Sequence, residues 1–315
     1  MFNIIKKKVV LSMYNWQEII DEFINDIEIK GYSKVTIYNY RYKLKNIQDY
    51  FLSQGINKID NITKQDIKKW IAFLQAQGKQ ASTINVTVNR LSRVFKYMFD
   101  EEYIEVNVFK KIAQLKTQKK IIYPLNDSEI KQMLLIAGKH KYKHIALRNV
   151  VLFSMMLECG LRISEVANLK NEDILENQII IRNGKNNKDR ALAITPIMKK
   201  QMVKYDRLKR NRYKTDDYQY YFVSYQRGKL SEKSIWDIMQ RIKEQMDIRN
   251  VVRFSGHTLR HTYAHMQMRN GMDIYTLSKN MGHSSVTMTQ NYLQTLKSDD
   301  FVKESIKYST LQNLR

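Results

Sequence analysis

The sequence predicts a mainly α-helical chain of two domains: a four-helix bundle, then a larger, mostly helical domain with a small antiparallel β-sheet. Three observations carry this. Four amphipathic segments, most opening on a capping residue and closing near a glycine, fill the first hundred positions. The run Asn149–Leu157 is apolar nearly all round, as a helix central to a second core must be. Two short β-like runs, Gln178–Ile181 and Ala191–Ile194, flank a turn at Gly184–Asp189. At 315 residues and 43% hydrophobic content, two cores are the natural expectation.

In chain order, Trp16, Ile19, Ile20, Phe23, Ile24 and Ile27 fall at helical spacing, and Gly31 ends that pattern. Ser33 can cap a second helix with Ile37, Tyr40, Leu44, Ile47 and Phe51 inward, closed by Gly55. Thr63 with Asp66 reads as a capping box opening a third, with Ile67, Trp70, Ile71 and Leu74 before Gly78. Ser82 can cap the fourth, with Ile84, Val88, Leu91, Phe95 and Met98 inward. Such a bundle, about 90 residues, is large enough to fold alone. Residues 1–13 read as an N-terminal tail, 14–107 as the bundle and 108–124 as a basic linker of little periodicity. The second domain spans 125–297, and 298–315 form a C-terminal tail with a short amphipathic helix. In that second domain Asn126-Asp127 starts a helix, Gly160 ends the apolar one, and Pro196 suits a first helical turn. Tyr220–Ser224 is expected as a third strand, and Ser231 caps a helix with Ile235, Trp236, Ile238 and Ile242 inward.

A formal charge of +23 and a pI near 9.8 point to a polyanionic partner, nucleic acid above all. Lysines and arginines interleave with tyrosines on the second helix, where Arg41, Lys43 and Lys45 are candidate DNA contacts. Asn85, Asn89, Arg90, Arg93 and Lys96 are the candidates on the fourth. A solvated outer face would carry the same pattern. The single cysteine, Cys159, excludes an internal disulfide and reads as a buried thiol. No apolar run reaches membrane-spanning length, and Val9-Val10-Leu11 is too short for a signal peptide, so a cytoplasmic location is expected.

The stretch Ser255–Tyr292 gathers His257, Arg260, His261, His283 and Tyr292 on short helical segments. Gly271 closes one of them, Asp273 caps the next, and Ser284 or Ser285 caps a third. A phenol, with its pKa near 10, is a poor nucleophile until fixed cations neutralise the phosphate it attacks. Arg260 can fork onto phosphate oxygens, and His257 and His283 can donate or exchange protons. The pattern points to attack on a phosphodiester by Tyr292. His257, His261 and His265 also recur every four residues, but no HExxH pattern, acidic third ligand or cysteine pair accompanies them. Neither a metal nor another cofactor is expected.

Three motifs, in this order and with these gaps, resemble the tyrosine recombinases of the phage-integrase family. They are Cys159-Gly160-Leu161-Arg162-Ile163-Ser164-Glu165-Val166, Gly184-Lys185-Asn186-Asn187-Lys188-Asp189-Arg190, and His257-Thr258-Leu259-Arg260-His261 with Met281-Gly282-His283 and Tyr292. Together they span about Cys159 to Tyr292; the N-terminal part resembles the family in helical layout only. The family often ends its first domain in Asn-Pro, where this chain reads Asn107-Val108. The resemblance implies a SAM-like core-binding bundle that closes over duplex DNA opposite the catalytic domain. It implies that Tyr292 is the nucleophile, Arg162 and Arg260 the phosphate clamp, and Lys185 the acid for the leaving 5′-oxygen, with Lys188 its competitor. His257 becomes the acid–base partner of Tyr292 and His283 a phosphate donor, while Glu165 and His261 support them.

The implied product is a 3′-phosphotyrosyl link, formed without ATP or metal and reversed by a 5′-hydroxyl. The working unit would be a homotetramer on two double-stranded DNA sites, or a heterotetramer with a related recombinase, its tail docking on a neighbour. The bundle is expected to open the chain without a preceding arm-binding domain, which tilts the role toward a Xer-like or mobile-element enzyme. Three other readings remain: a type IB topoisomerase-like enzyme, a metal-dependent relaxase or nuclease, and a non-catalytic DNA-binding module.

Overall fold

The computed structural model describes residues 15–117, 122–182, 189–214, 218–283 and 285–290. The chain divides into two compact units, residues 1–119 and 120–315.

The first unit is built on four helices, α1 (Trp16–Ile29), α2 (Lys34–Ser53), α3 (Lys64–Ala76) and α4 (Ala81–Asp100). Each start has a local cause. Asn15 and Glu18 cap α1 reciprocally, Ser33 caps α2, and Thr63 and Asp66 form a capping box at α3. The fourth start differs from expectation. Gln80, with no side-chain cap, precedes Ala81, and Ser82 lies inside the first turn. Of the inward rows that the periodicity selects, Ile37, Ile71 and Leu74 are only partly buried against the core; the rest are buried, and Val94 joins them. Trp16 stacks on Phe51 at 5.8 Å, and Phe51 meets Trp70 at 5.4 Å, which locks α1, α2 and α3 around one aromatic centre. Fully burying such side chains is worth about 1.5–3 kcal/mol each.

The stretch expected as a linker begins on this bundle. Val108–Lys111 forms a 3-10 turn, Phe109 is buried against Phe95, and Ile112 and Leu115 pack on the same core. The Asn85 amide holds Leu115 at both polar groups, donating to its carbonyl and accepting from its N–H at 2.9 Å. Basic composition hid the apolar side chains that dock.

In the second unit the described helices are α5 (Asp127–Ala137), α6 (Lys143–Cys159), α7 (Ile163–Asn168), α8 (Pro196–Tyr213), α9 (Glu232–Gln245), α10 (Gly256–Arg269), α11 (Ile274–Met281) and α12 (Val286–Gln290). Strands β1 (Gln178–Ile181) and β2 (Arg190–Ala193) pair antiparallel, Gln178 opposite Ala193 and Ile181 opposite Arg190. α6 is the centre: Val151, Leu152, Phe153, Met155 and Met156 are wholly buried, and α5, α8 and α10 pack around it. It ends where Gly160 turns left-handed at φ 62°. A Cβ there would sit 2.3 Å from Cδ1 of Tyr263, so only glycine lets α10 approach.

Two expectations fail here. Residues 220–224 form no third strand; Lys170–Tyr220 and Val223–Lys229 are isolated bridges, and the described sheet has two strands. Tyr221 and Phe222 are buried on successive positions, which strict alternation cannot provide. Trp236 is 53% exposed on α9, while Met239 takes an inward place. Ser231 does cap that helix, and Thr195 and Pro196 open α8. No helix among the described residues is long and apolar enough to cross a membrane.

Candidate active site

Arg162 is the N-cap of α7, one helical turn ahead of Glu165. The Glu165 carboxylate accepts from the Arg162 backbone N–H at 2.8 Å and from Arg162 Nη1 at 2.7 Å. It also accepts a two-pronged pair from Arg190, Nη1 at 3.0 Å and Nη2 at 2.8 Å. Burial by itself would raise this carboxyl. The Arg190 hydrogen bonds and charge, then those of Arg162, outweigh it and hold the group at about 2. Glu165 is therefore an anion shared by two guanidiniums, one from α7 and one from the start of β2. Arg190 Nε donates further to the Asn280 carbonyl at 2.8 Å, near the end of α11. A Cβ at Gly282 would approach Arg190 Nη1 to 3.0 Å, so glycine leaves room for that guanidinium.

Arg260, one turn into α10, is 2% exposed. Its Nη1 donates to the Gly160 carbonyl at 2.6 Å, and its Nη2 to the Met281 carbonyl. The ends of α6 and α11 thus orient one guanidinium, whose Nη2 also lies 3.0 Å from His283 Nε2. On its other side His283 Nδ1 is 2.8 Å from Thr289 Oγ1. Burial, then the charges of Arg260, Arg162, Arg190 and His257, pushes this imidazole down to about 4. It is neutral at pH 7.

His257 occupies the first turn of α10, after the Ser255 cap. Burial and then the charges of Arg260 and Arg162 lower its pKa. His261, one turn on, meets it edge to face at 5.0 Å. Its own ring is buried and driven down to about 3, by burial first and then by His257, Arg260 and His283. Arg162, Glu165, His257, Arg260, His261 and His283 thus share one charged neighbourhood. Lys185, Lys188 and Tyr292 lie outside the described residues.

The buried thiol of Cys159 is raised to about 12 by desolvation. Of the other tyrosines near in sequence, Tyr263 is buried and Tyr275 is 61% exposed.

The candidate contacts of the first unit are carried on α2 and α4. Tyr38, Arg41, Tyr42 and Lys45 follow one face of α2, with Tyr38 and Tyr42 both largely exposed. Arg41 pairs with Asp21 at 2.8 Å, and Lys43 lies over the Tyr42 ring. On α4, Asn89, Arg93 and Lys96 are exposed and Arg90 is half-buried. Lys96 pairs with Asp100. Asn85 is half-buried, and both ends of its amide are engaged by the Leu115 backbone.

Two residues escaped the sequence reading. Arg190 stands in the quoted hairpin motif, and its signal was a basic residue opening a strand beside small residues. Thr289 gave none, because a helical threonine most often bonds its own backbone.

The phage integrase family matches residues 125–299, and its N-terminal SAM-like domain matches residues 20–102. Tyrosine recombinase XerA of Pyrococcus furiosus is 30% identical over 299 residues, covering 93% of this chain and 94% of that protein. Among solved structures, XerH recombinase bound to palindromic difH superposes with a TM-score of 0.71 at 21% identity, covering 87% of this chain and 80% of that one. A lambda integrase dimer bound to a COC′ core site gives 0.70 at 17% identity, covering 89% and 95%.

Proposed function

Because the chain belongs to the phage integrase family of tyrosine recombinases, we propose that Tyr292, Arg162, Lys185, His257, Arg260 and His283 carry out its strand exchange on double-stranded DNA. The observation that carries the assignment is the convergence of cations on one place: Arg260 Nη2 lies 3.0 Å from His283 Nε2, and Arg162 and Arg190 meet on Glu165 beside it. Such a field suits an anion, and a phosphodiester is the anion this family cleaves.

Tyr292 Oη attacks the scissile phosphorus, forming the P–Oη bond as the P–O5′ bond breaks. His257 takes the phenolic proton, and Lys185 delivers one to the departing 5′-oxygen. Arg162 and Arg260 match the non-bridging oxygens, whose charge grows in the transition state. The 5′-hydroxyl of the partner strand then attacks the phosphotyrosine, and the linkage energy is retained without ATP. Glu165 and His261 orient Arg162 and His257. The exposed basic and aromatic residues of α2 and α4 bind the DNA backbone. A lambda integrase tetramer bound to a Holliday junction shares this fold, and four protomers on two sites are the proposed working unit here. Integration or excision of a mobile element and multimer resolution are the proposed roles, in keeping with the similarity to XerA over 93% of this chain, and the proposed location is the cytoplasm.

The test is covalent trapping on nicked duplexes from the DNA flanking the gene, with EDTA present. A protein–DNA adduct that survives a denaturing gel and disappears in Tyr292→Phe is expected. An adduct that persists in Tyr292→Phe removes the nucleophile assignment.

A further inference from the structure

The His283 ring is held at both nitrogens, and the two partners settle where its proton sits. Arg260 Nη2 faces Nε2 at 3.0 Å, and Thr289 Oγ1 faces Nδ1 at 2.8 Å. A guanidinium carries donors and no acceptor, so Nε2 must turn a lone pair toward it. A neutral imidazole has one N–H, which is then on Nδ1, and Thr289 Oγ1 accepts it. The reverse polarity, with Thr289 donating to Nδ1, would set an Nε2–H against an Arg260 N–H.

We propose that Thr289 is a positioning residue: it retains the His283 proton on Nδ1, so that Nε2 is the nitrogen that faces Arg260 or gains a proton beside the phosphate. This rests on the tyrosine recombinase reading of the site. Three further observations support it. Thr289 is fully buried, so its hydroxyl has little water to turn to. It lies on α12, three residues before Tyr292, so the same hydrogen bond ties the nucleophile's segment to the arginine cluster. Arg260 is itself oriented by the Gly160 and Met281 carbonyls, which makes the ring's other partner rigid. When the neutral ring takes a proton, Nδ1 is already occupied, and the new proton can enter only at Nε2.

Thr289→Val keeps the branched shape and removes the hydroxyl; Thr289→Ser keeps the hydroxyl. Full-length protein labelled with ¹⁵N-histidine reports the tautomer by long-range ¹H–¹⁵N correlation, with His283 assigned by its loss in His283→Asn. Wild type and Thr289→Ser should show Nδ1–H, and Thr289→Val a mixture or Nε2–H. Adduct formation at saturating DNA should fall about tenfold in Thr289→Val, as expected for losing one orienting hydrogen bond, and recover in Thr289→Ser. DNA affinity should not change. An Nε2–H tautomer in wild type, or a wild-type rate and tautomer in Thr289→Val, overturns the proposal. Failure of the recombinase reading would show separately, as an adduct insensitive to Tyr292→Phe with the tautomer result intact.

Discussion

In the N-terminal unit Asn107 is the one polar side chain buried among the described residues, whereas the C-terminal unit buries Glu129, Arg148, Asp173, Lys209, Arg260 and His261. The first unit keeps its charge in water, at little desolvation cost, and packs an apolar centre beneath it. The second takes charge inside and must supply partners. Arg249 forks onto Glu129 at 2.8 and 2.9 Å, and Arg148 donates to the Val223 carbonyl at 2.9 Å. Lys209 bonds the Tyr221 carbonyl and lies over the Tyr205 and Tyr221 rings. An exposed cation can attract a phosphate backbone, but a buried, braced cation can be aimed at one phosphate. On the proposed function, this contrast would give affinity to one unit and chemistry to the other.

The strongest way to break that contrast is to remove a braced cation. Arg260→Ala should slow single-turnover adduct formation by roughly 10²–10³ while leaving DNA affinity near wild type, as for the loss of one preorganised transition-state donor. Single-turnover gels and equilibrium binding on the same duplex read the two quantities. A matched loss in both would mean that Arg260 acts in binding alone.

Acid should separate the units next. All six histidines lie in the second unit, and His261, at about 3, and His283, at about 4, are held below an unfolded value near 6.5. For such groups the unfolded state binds the extra proton, so stability present above pH 6.5 is lost as pH falls toward the folded values. Between pH 7 and 5 His261 alone should cost the second unit about 2 kcal/mol, while the first, without histidine, holds. In a Trp236→Phe background Trp16 and Trp70, both 1% exposed, report the first unit's urea unfolding by fluorescence, and far-UV circular dichroism reports both units. Parallel loss in the two signals would contradict the division.

The smallest effect belongs to the outer face. Lys45→Ala should leave adduct formation at saturating DNA unchanged, weaken binding modestly, and lower the log–log salt slope by about 1 if it meets a phosphate. An unchanged slope would make Lys45 a solvated residue of α2.

How much was legible follows the range of the interactions. Helix starts and inward rows of the first unit were readable because a cap and its N3 residue are three positions apart and a core face repeats every turn. The motif residues of the second unit were readable by type, but their partners were not. Arg190 meets Glu165 across 25 positions and Asn280 across 90, and Arg260 meets Gly160 across 100. The failed strand and the outward Trp236 have the same origin: local pattern proposed an element, and packing around α6 decided what its residues faced.

By itself, then, the sequence determined the helices of the bundle, the antiparallel pair of β1 and β2, the basic character, and the motif residues Arg162, Arg260 and His283 that the fold brings together. Those properties depend on backbone geometry within a turn or two and on composition. Only the tertiary structure decided that Glu165 is shared between two arginines, that two helix ends aim Arg260, that the Asn85 amide holds Leu115, and that the His283 ring lies between Arg260 and Thr289. Each depends on side chains brought together from distant positions, and on the burial that makes an unmet hydrogen bond costly.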